Sequence, residues 1–439
     1  MTTPEPPAPR RRVAINVPVL ARVEGEGALD LVVENDTISE LRLRIYEPPR
    51  YFEKFLEGRA WHEVPDIVAR ICGICPVAYQ MSAVHAIEQA FAIDPGPWVR
   101  AMRRLLYCGA WIESHALHIH LLAAPDFLGY SSAPEMARDH AAVVRRGLRL
   151  QHLGNEIIGL LGGRAVHPVG VRVGGFHKAP DPKAAAELRS RIDAALPDAA
   201  ALVGWAASLP LPQSAPLPFP AVSLKHDTEY PMNEGAIASS TGFTLAKEAY
   251  ESRFTEHHVP YSTALHGALD GAPYLVGPLA RLALNQDRLP DTVRDTLDAT
   301  GVAFPSANRY HAIVARAVEI HYALTEAQRL LREYSLPDAP GVAVTPGAGE
   351  GFGATEAPRG LLWHHYELDD QGLIRSARIV PPTSQNQGYI EADLRATLTR
   401  DGLHRPDDTL RLQAETIIRN YDPCISCATH FLDLRIRRQ

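Results

Sequence analysis

Four of the five cysteines in this chain fall into two Cys-x-x-Cys pairs at opposite ends of the sequence. Cys72 and Cys75 lie in Arg70-Ile71-Cys72-Gly73-Ile74-Cys75; Cys424 and Cys427 lie in Asp422-Pro423-Cys424-Ile425-Ser426-Cys427-Ala428-Thr429-His430. A thiolate pair on one tight turn can grip one metal, and two such pairs brought together make a tetrathiolate site. A chain that uses them so must fold its tail back onto its head. Two other readings stand beside this one. A lone Cys-x-x-Cys can be a dithiol redox pair or half of a structural zinc site. The redox motif comes with a short βαβ unit, which is not visible here. A zinc staple joins halves some tens of residues apart in a domain too small for a core, and 439 residues need no staple. A functional metal site is the preferred reading.

The composition, 46% hydrophobic and 22% charged, is that of a soluble globular protein. Length alone allows two or three domains, but cysteines that must meet put the first and last parts in one core. A net charge of −7 with no basic stripe argues against nucleic acid as a partner. No apolar run reaches the ~18–20 residues that span a bilayer. Residues 1–12 begin Pro-rich and polar, without the apolar core of a secretory signal, and are expected to be a disordered tail. Cysteine pairs at a metal site suit a reducing compartment, so a cytoplasmic location is expected.

Periodicity predicts a mainly helical α+β chain. Val13 to Leu20, Ala28 to Glu34 and Ile38 to Tyr46 alternate as strands, joined by the glycine-loosened Arg22-Val23-Glu24-Gly25-Glu26-Gly27 and the Asn35-Asp36 turn. Short helices are expected at Tyr51 to Arg59 and Val64 to Arg70. A helix over Ala78 to Phe91 puts Cys75 near its N-terminus, where amides and dipole favour thiolate. Long helical patterns cover Pro97 to Leu122, Ala137 to Leu161, Pro182 to Ser208 and Ser306 to Tyr334, with a shorter one at Leu289 to Thr300. Prolines keep Leu209 to Pro220 extended. Ala221 to Leu284 mixes short strands and loops. Gly347 to Gly353 is not a dinucleotide fingerprint, because Phe352 holds the last glycine position; it reads as a loop before a hairpin, Leu361 to Leu368 and Leu373 to Val380. Pro381 to Asn386 closes that hairpin, and helices follow at Ile390 to Thr399 and Thr409 to Tyr421.

Four thiolates carry four negative charges, and one divalent ion compensates only half of them. A second cation sharing two sulfurs is therefore attractive, and soft donors suit nickel and iron. R-x-C-G-x-C near the N-terminus with D-P-C-x-x-C-x-x-H near the C-terminus resembles the large, catalytic subunit of nickel–iron hydrogenases, from about Arg22 to His430 and most like the soluble NAD(P)-linked group. The resemblance implies one domain over 13–430, a bundle of long helices with small antiparallel β elements, and end motifs meeting at a buried metal site. It implies that Cys72 and Cys424 bind nickel terminally while Cys75 and Cys427 bridge to an iron carrying carbon monoxide and cyanide. The reaction implied is H2 ⇌ 2H+ + 2e−, which needs a Lewis-acidic metal and a nearby base.

The resemblance extends to other residues. It makes Cys424 the first choice of base, Glu24 the proton relay, and Arg359 an electrostatic or positioning group over the open metal position. A carboxyl buried beside a thiolate has a raised pKa and shuttles protons near neutrality. Asp126 and Asp422 correspond to acids near that arginine, Thr383 to a hydroxyl that donates to an iron ligand, and Pro358 and Pro382 to residues shaping the pocket. Glu53, the carbonyl of Ile379 and His430 correspond to a separate site for magnesium or iron. Residues 431–439 correspond to a peptide removed by a maturation endopeptidase. Tyr79 stands where many relatives have histidine, and His85 follows six residues later.

His115, His118 and His120 crowd one helix and are expected to pack or hydrogen-bond near the site rather than ligate; Cys108 reads as a buried hydrophobe. With four cysteines assigned, the chain cannot hold a four-cysteine iron–sulfur cluster. Electrons must leave through partners: an iron–sulfur small subunit, and flavin-bearing subunits where NAD(P) reacts. An H2 sensor with the same site is the alternative function; a scaffold relative lacking the metals is disfavoured by the four cysteines.

Overall fold

The structure, a computed structural model, describes residues 12–429. The expected tail falls outside them up to residue 11, as do His430 and the segment 431–439. Strands β1 (Arg12–Val17), β2 (Gly27–Glu34) and β3 (Thr37–Ile45) form an antiparallel sheet in that order, with β1 ending three residues earlier than the sequence suggests. Helices α1 (Phe52–Leu56) and α2 (Val64–Val68) lead to the first cysteine pair. Pro76 starts α3 (Pro76–Ala90), with Cys75 at its cap position; proline suits a first turn because its missing N–H has no partner there anyway.

Four long helices make the bundle: α4 (Gly96–Leu117), α7 (Ala141–Gly162), α8 (Pro182–Ala207) and α11 (Ala312–Arg332). Helix α4 packs on α7 and α11, and α8 packs on α11. The chain does not stop at Leu122 as expected. A π-helical turn, His118–Ala123, carries α4 into α5 (Ala124–Leu128), and α6 (Ala133–Met136) precedes α7. The wider turn is a local underwinding of the kind often found at functional sites. After a β4 (Val171–Arg172) and β5 (Gly175–Phe176) pair, the region past α8 holds β6 (Val222–Lys225), β7 (Ala236–Ser239), β8 (Thr244–Leu245), β9 (Phe254–His258) and β10 (Leu265–Leu269), then α9 (Pro278–Asn285) and α10 (Asp291–Asp298).

Gly347 to Gly353 was expected to be a loop. Most of it is strand β11 (Gly349–Ala357), which pairs with β12 (Gly360–Leu368), and β12 pairs in turn with β13 (Ile374–Val380). The glycines explain why. A Cβ on Gly349, Gly351 or Gly353 would lie 2.3, 1.9 or 1.9 Å from the carbonyl oxygens of Ala90, Ala86 and Ser82. Two strand residues advance about 6.6 Å and four helix residues about 6 Å, so a bare strand face can lie along one face of α3. Pro381 likewise does not close the hairpin but caps α12 (Pro382–Asp401), which begins eight residues before the expected start at Ile390; α13 (Asp407–Asn420) then returns the chain to the second cysteine pair. Among the described residues no helix is long and apolar enough to cross a membrane.

Candidate metal centre

The two ends of the chain meet through backbone before they meet through sulfur. Glu24 forms a parallel bridge with Cys424, and the amide of Ile425 donates to the Glu24 carbonyl at 3.0 Å. Gly25, at φ 87°, makes this approach possible: a Cβ there would stand 2.7 Å from both Ile425 Cβ and Glu47 Oε2. One arginine that the sequence reading missed locks the arrangement. Arg50 Nη2 donates to the carbonyl of Ile71 at 2.6 Å and also to that of Ser426, so a single guanidinium ties the turn before Cys72 to the turn between Cys424 and Cys427. A lone arginine in a charged stretch gives no sign of this in the sequence.

The four cysteines are buried, and their sulfurs all lie within 4.8 Å of one another. Cys72 Sγ is 3.3 Å from Cys424 Sγ, Cys75 Sγ is 3.5 Å from Cys427 Sγ, and Cys424 Sγ is 2.8 Å from Cys427 Sγ. The helix-start amides were expected to favour thiolate at Cys75. They point instead at its neighbour: the amides of Ile74 and Cys75 both donate to Cys72 Sγ at 3.3 Å. Donation from the Cys424, Cys427 and Cys75 thiols holds Cys72 well below the usual thiol range. Cys75 is pushed up by its hydrogen bond to Cys424, and Cys424 and Cys427 are pushed up first by burial. Four sulfurs this close cannot all be anionic unless cations join them.

Arg359 is buried against this cluster. Its Nε donates to the Asp422 carbonyl at 2.7 Å and its Nη2 to Asp422 Oδ1 at 2.9 Å. Burial alone lowers its pKa; Asp422 and the cysteine sulfurs overcome that and raise it. Two buried atoms of the pair have no partner, Arg359 Nη1 and Asp422 Oδ2. Soft donors around one point, with unsatisfied charged atoms beside them, fit a bound metal group. A family model described as nickel-dependent hydrogenase matches residues 50–148 and 231–430, which include all four cysteines.

The chain belongs to the nickel-dependent hydrogenase family, as a large subunit. Sulfhydrogenase 1 subunit alpha of Pyrococcus furiosus is 33% identical over 96% of this chain and 98% of its own. The NAD-reducing hydrogenase HoxS subunit beta of Cupriavidus necator is 27% identical over 94% of each. A solved NAD+-reducing nickel–iron hydrogenase, in the H2-reduced state, superposes with a TM-score of 0.81 at 29% identity, covering 96% of this chain and 99% of that one. Enzymes of the family act on H2 at nickel and iron, and the four buried cysteines are the donor set here.

The other expected residues of this hydrogenase subunit divide into those that reach the centre and those that do not. Glu24 Oε2 lies 3.1 Å from Cys424 Sγ and accepts the Ser426 amide at 3.1 Å; its side chain is only partly buried. Thr383 Oγ1, in the first turn of α12, accepts the Cys424 amide at 3.0 Å. Pro382 opens that helix, and the Pro358 carbonyl accepts from Arg281 at 2.9 Å. Asp126 was expected beside Arg359. It pairs instead with Arg22 and with Arg419, the latter at 2.7 and 3.0 Å, with its side chain 2% exposed. That double clasp joins the Arg22 turn, α5 and α13.

Glu53 Oε1 accepts the amide of Ile379 at 2.7 Å, and burial pushes its pKa up to about 7. The Tyr79 ring is buried beside His364, its centroid 5.7 Å away, and burial raises its pKa. Among the described residues His85 is not part of the cysteine cluster. His115 Nε2 bonds Glu319 at 2.9 Å, His118 Nε2 bonds the Arg419 carbonyl at 2.9 Å, and His120 stacks on Trp205. Burial lowers their pKa values to about 4, 3 and 3. Cys108 is buried, and burial raises its pKa. Glu113 on α4 went unnoticed in the sequence; it is buried, and burial raises its pKa to about 7 against the pull of Arg359. Its place in a helical pattern of mixed polarity gave no signal.

Proposed function

We propose that this large subunit is catalytic, splitting H2 into protons and electrons in the cytoplasm and passing the electrons to an iron–sulfur small subunit and then, through flavin-bearing subunits, to NAD or NADP. The observation that carries the reading is the closure of four sulfurs around one buried point with a carboxylate 3.1 Å from one of them. The likeness to two NAD-reducing hydrogenases supports the acceptor. The cysteine count supports the partner, since Cys108 alone is left over and cannot hold a cluster.

In this reading Cys72, Cys75, Cys424 and Cys427 would together hold nickel and an iron bearing carbon monoxide and cyanide. When bound, the metal pair supplies Lewis acidity and electron storage. The chain's own groups manage the proton. Cys424 Sγ takes it, and Glu24 Oε2 is within hydrogen-bond reach to receive it. The Ser426 amide keeps that carboxylate aimed. Arg359, fixed by Asp422, projects positive charge at the centre and stays protonated, so it positions and polarises and does not act as the base. Thr383 accepts from the Cys424 amide and keeps its own hydrogen to donate towards an iron ligand, with Pro358 and Pro382 shaping that pocket. Asp126 acts further out, by holding Arg22 and Arg419 in place. Glu53, the Ile379 carbonyl and His430 form a site for magnesium or iron, and a maturation endopeptidase removes residues 431–439.

Elemental analysis of the purified assembly, with methyl viologen reduction under H2, tests the reading. Nickel and iron with H2-dependent turnover are expected. Zinc as the sole metal refutes it, and nickel and iron without turnover make the protein an H2 sensor. Mass spectrometry of the mature chain is expected to end it at His430, and Glu24→Gln is expected to slow proton exchange with D2.

A further inference from the structure

Helix α3 carries Cys75 at its start and His85 and Glu88 near its other end. Ten residues along a helix are about 15 Å, so His85 belongs to different surroundings from the metal centre. It lines a separate half-open cavity of about 280 Å³ with Arg100 and Arg103 of α4, Asn233, Glu234 and Lys247. The cations there are unequally partnered. Arg103 makes a two-armed pair with Glu88, at 2.7 and 2.5 Å, and Arg100 pairs with Glu234 at 3.0 Å and with Asp94 at 3.8 Å. Lys247 makes no ion pair among the described residues, although Glu248, Glu234 and Glu88 are near enough to act on it.

Two buried atoms of the lining lack partners as well: Arg103 Nε, on a residue 1% exposed, and Asn233 Oδ1, on a residue 6% exposed. His85 has its pKa lowered by burial first and then by Arg103, Lys247 and Arg100, the response of a buried imidazole beside three cations. The unmet groups have a definite pattern. An ammonium and an Arg N–H ask for anionic oxygens, while an amide oxygen asks for a hydrogen. Carboxylates and sulfate have no hydrogen to give near neutral pH. Hydrogenphosphate has both, whereas the dianion of a phosphate monoester, its main form near neutral pH, has no P–OH.

We propose that this cavity binds inorganic phosphate, with Lys247 and Arg103 donating to its oxygens and Asn233 Oδ1 accepting from P–OH. The site is distinct from the metal centre, so its occupancy can be measured without turnover.

Isothermal titration of the metal-loaded assembly in phosphate-free buffer tests this, using inorganic phosphate, glycerol 3-phosphate and sulfate. Inorganic phosphate is expected to bind at least about tenfold more tightly than sulfate, the advantage expected of one added hydrogen bond to a buried group. Glycerol 3-phosphate, whose dianion has no P–OH, is expected to bind no better than sulfate, and tighter binding of it than of inorganic phosphate overturns the proposal. Lys247→Met, on a partly exposed residue, is expected to weaken phosphate binding about tenfold, with nickel content and viologen turnover unchanged. Asn233→Asp, which adds a negative charge where the P–OH would sit, is expected to abolish it. Absence of binding, equal affinity for sulfate, or full affinity in both variants overturns the proposal.

Discussion

Two buried guanidiniums stand almost side by side in this molecule, and they are used in opposite ways. Arg281 spends all five of its N–H bonds. It donates to Glu319 at 2.7 and 2.7 Å, to Glu356 at 3.0 Å, and to the carbonyls of Ala357 and Pro358 at 2.9 Å each. Arg359 follows one residue later, fixed at Nε and Nη2, and keeps Nη1 without a partner. A native interior rarely leaves a charged donor unmatched. The satisfied arginine holds the backbone still, and the unsatisfied one is carried by that backbone to the four cysteines. The difference separates an arginine whose donors are all used within the fold from one that keeps a donor for a group beside the cysteines.

The Arg281 cluster is also internally graded. Burial raises the carboxyl pKa of both partners, but Arg281 holds Glu319 down to about 2, helped by His115, while Glu356, with a single arm of the guanidinium, is left raised at about 7. Tyr230 adds a bond to Glu319 at 2.8 Å. Nothing here touches the cysteines, yet all of it stands behind the turn that carries Arg359.

The largest effect is expected at the four cysteines beside which Arg359 is buried. Cys424→Ser is expected to remove nickel and H2 turnover to below detection. The melting temperature should stay close to that of wild-type protein lacking metal, because the hydroxyl fills the sulfur's place. Metal analysis beside a thermal scan decides it, and retained nickel with retained turnover counts against the whole assignment. Next comes the satisfied arginine. Arg281→Met strands Glu319 and Glu356 as uncompensated buried carboxylates and is expected to lose about 3–5 kcal/mol of stability. Adding Glu319→Gln should recover part of that loss, and chemical denaturation measures both. Arg359→Lys should reverse the pattern. Lysine keeps the charge but cannot fork onto Asp422, so turnover should fall by about 10²–10³-fold, with a much smaller change in stability than Arg281→Met. A destabilisation as large as that of Arg281→Met would erase the distinction between the two.

Spacing alone was enough to place the cysteines as candidates, while Glu24, Arg359 and Thr383 came from the family resemblance and not from any local pattern. The helices and the N-terminal sheet were legible for a similar reason, since periodicity of 3.6 or 2 is a local property. The partnerships were not. Arg50, Arg22, Arg281 and Arg419 each bond to residues far away in the chain, and a buried arginine in a sequence looks like a surface one. Asp126 shows the same limit: the family resemblance set it near Arg359, but which arginine it would meet depended on how α5 and α13 pack. The glycines of β11 misled in another way. Alternating glycines lack the apolar signal of a strand, and their purpose, room for the α3 backbone, exists only once the two elements touch.

The smallest expected effect applies the same contrast to a histidine. His120 has both ring nitrogens committed: Nδ1 faces the Ala116 carbonyl at 2.9 Å, and Arg146 Nε approaches Nε2 at 3.3 Å. Arginine can only donate, so Nε2 accepts and Nδ1 carries the hydrogen. Protonating the ring would break the Arg146 bond and set two cations together over Trp205, where Arg146 lies 4.7 Å from the ring centre. Burial and Arg146 accordingly lower the pKa to about 3, from an ordinary value of 6.5. The sign follows from proton counts. Below pH 6.5 the unfolded chain binds a proton at this residue and the folded chain does not, so stability is lost as pH falls. The loss is about 1.4 kcal/mol per pH unit, until the folded value is reached. Other buried groups titrate in the same range, and the raised carboxyls of Glu113 and Glu356 act in the opposite direction. The measurement is therefore a difference between two proteins. His120→Asn keeps a neutral donor but loses the stack on Trp205, and it is expected to be the less stable at pH 7.5. That gap should narrow by about 1.4 kcal/mol for each unit between pH 6.5 and 4.5. A gap that stays constant over those two units would mean that His120 is protonated alike in the folded and unfolded chain, and that bonds committed on both sides of a ring do not hold it neutral.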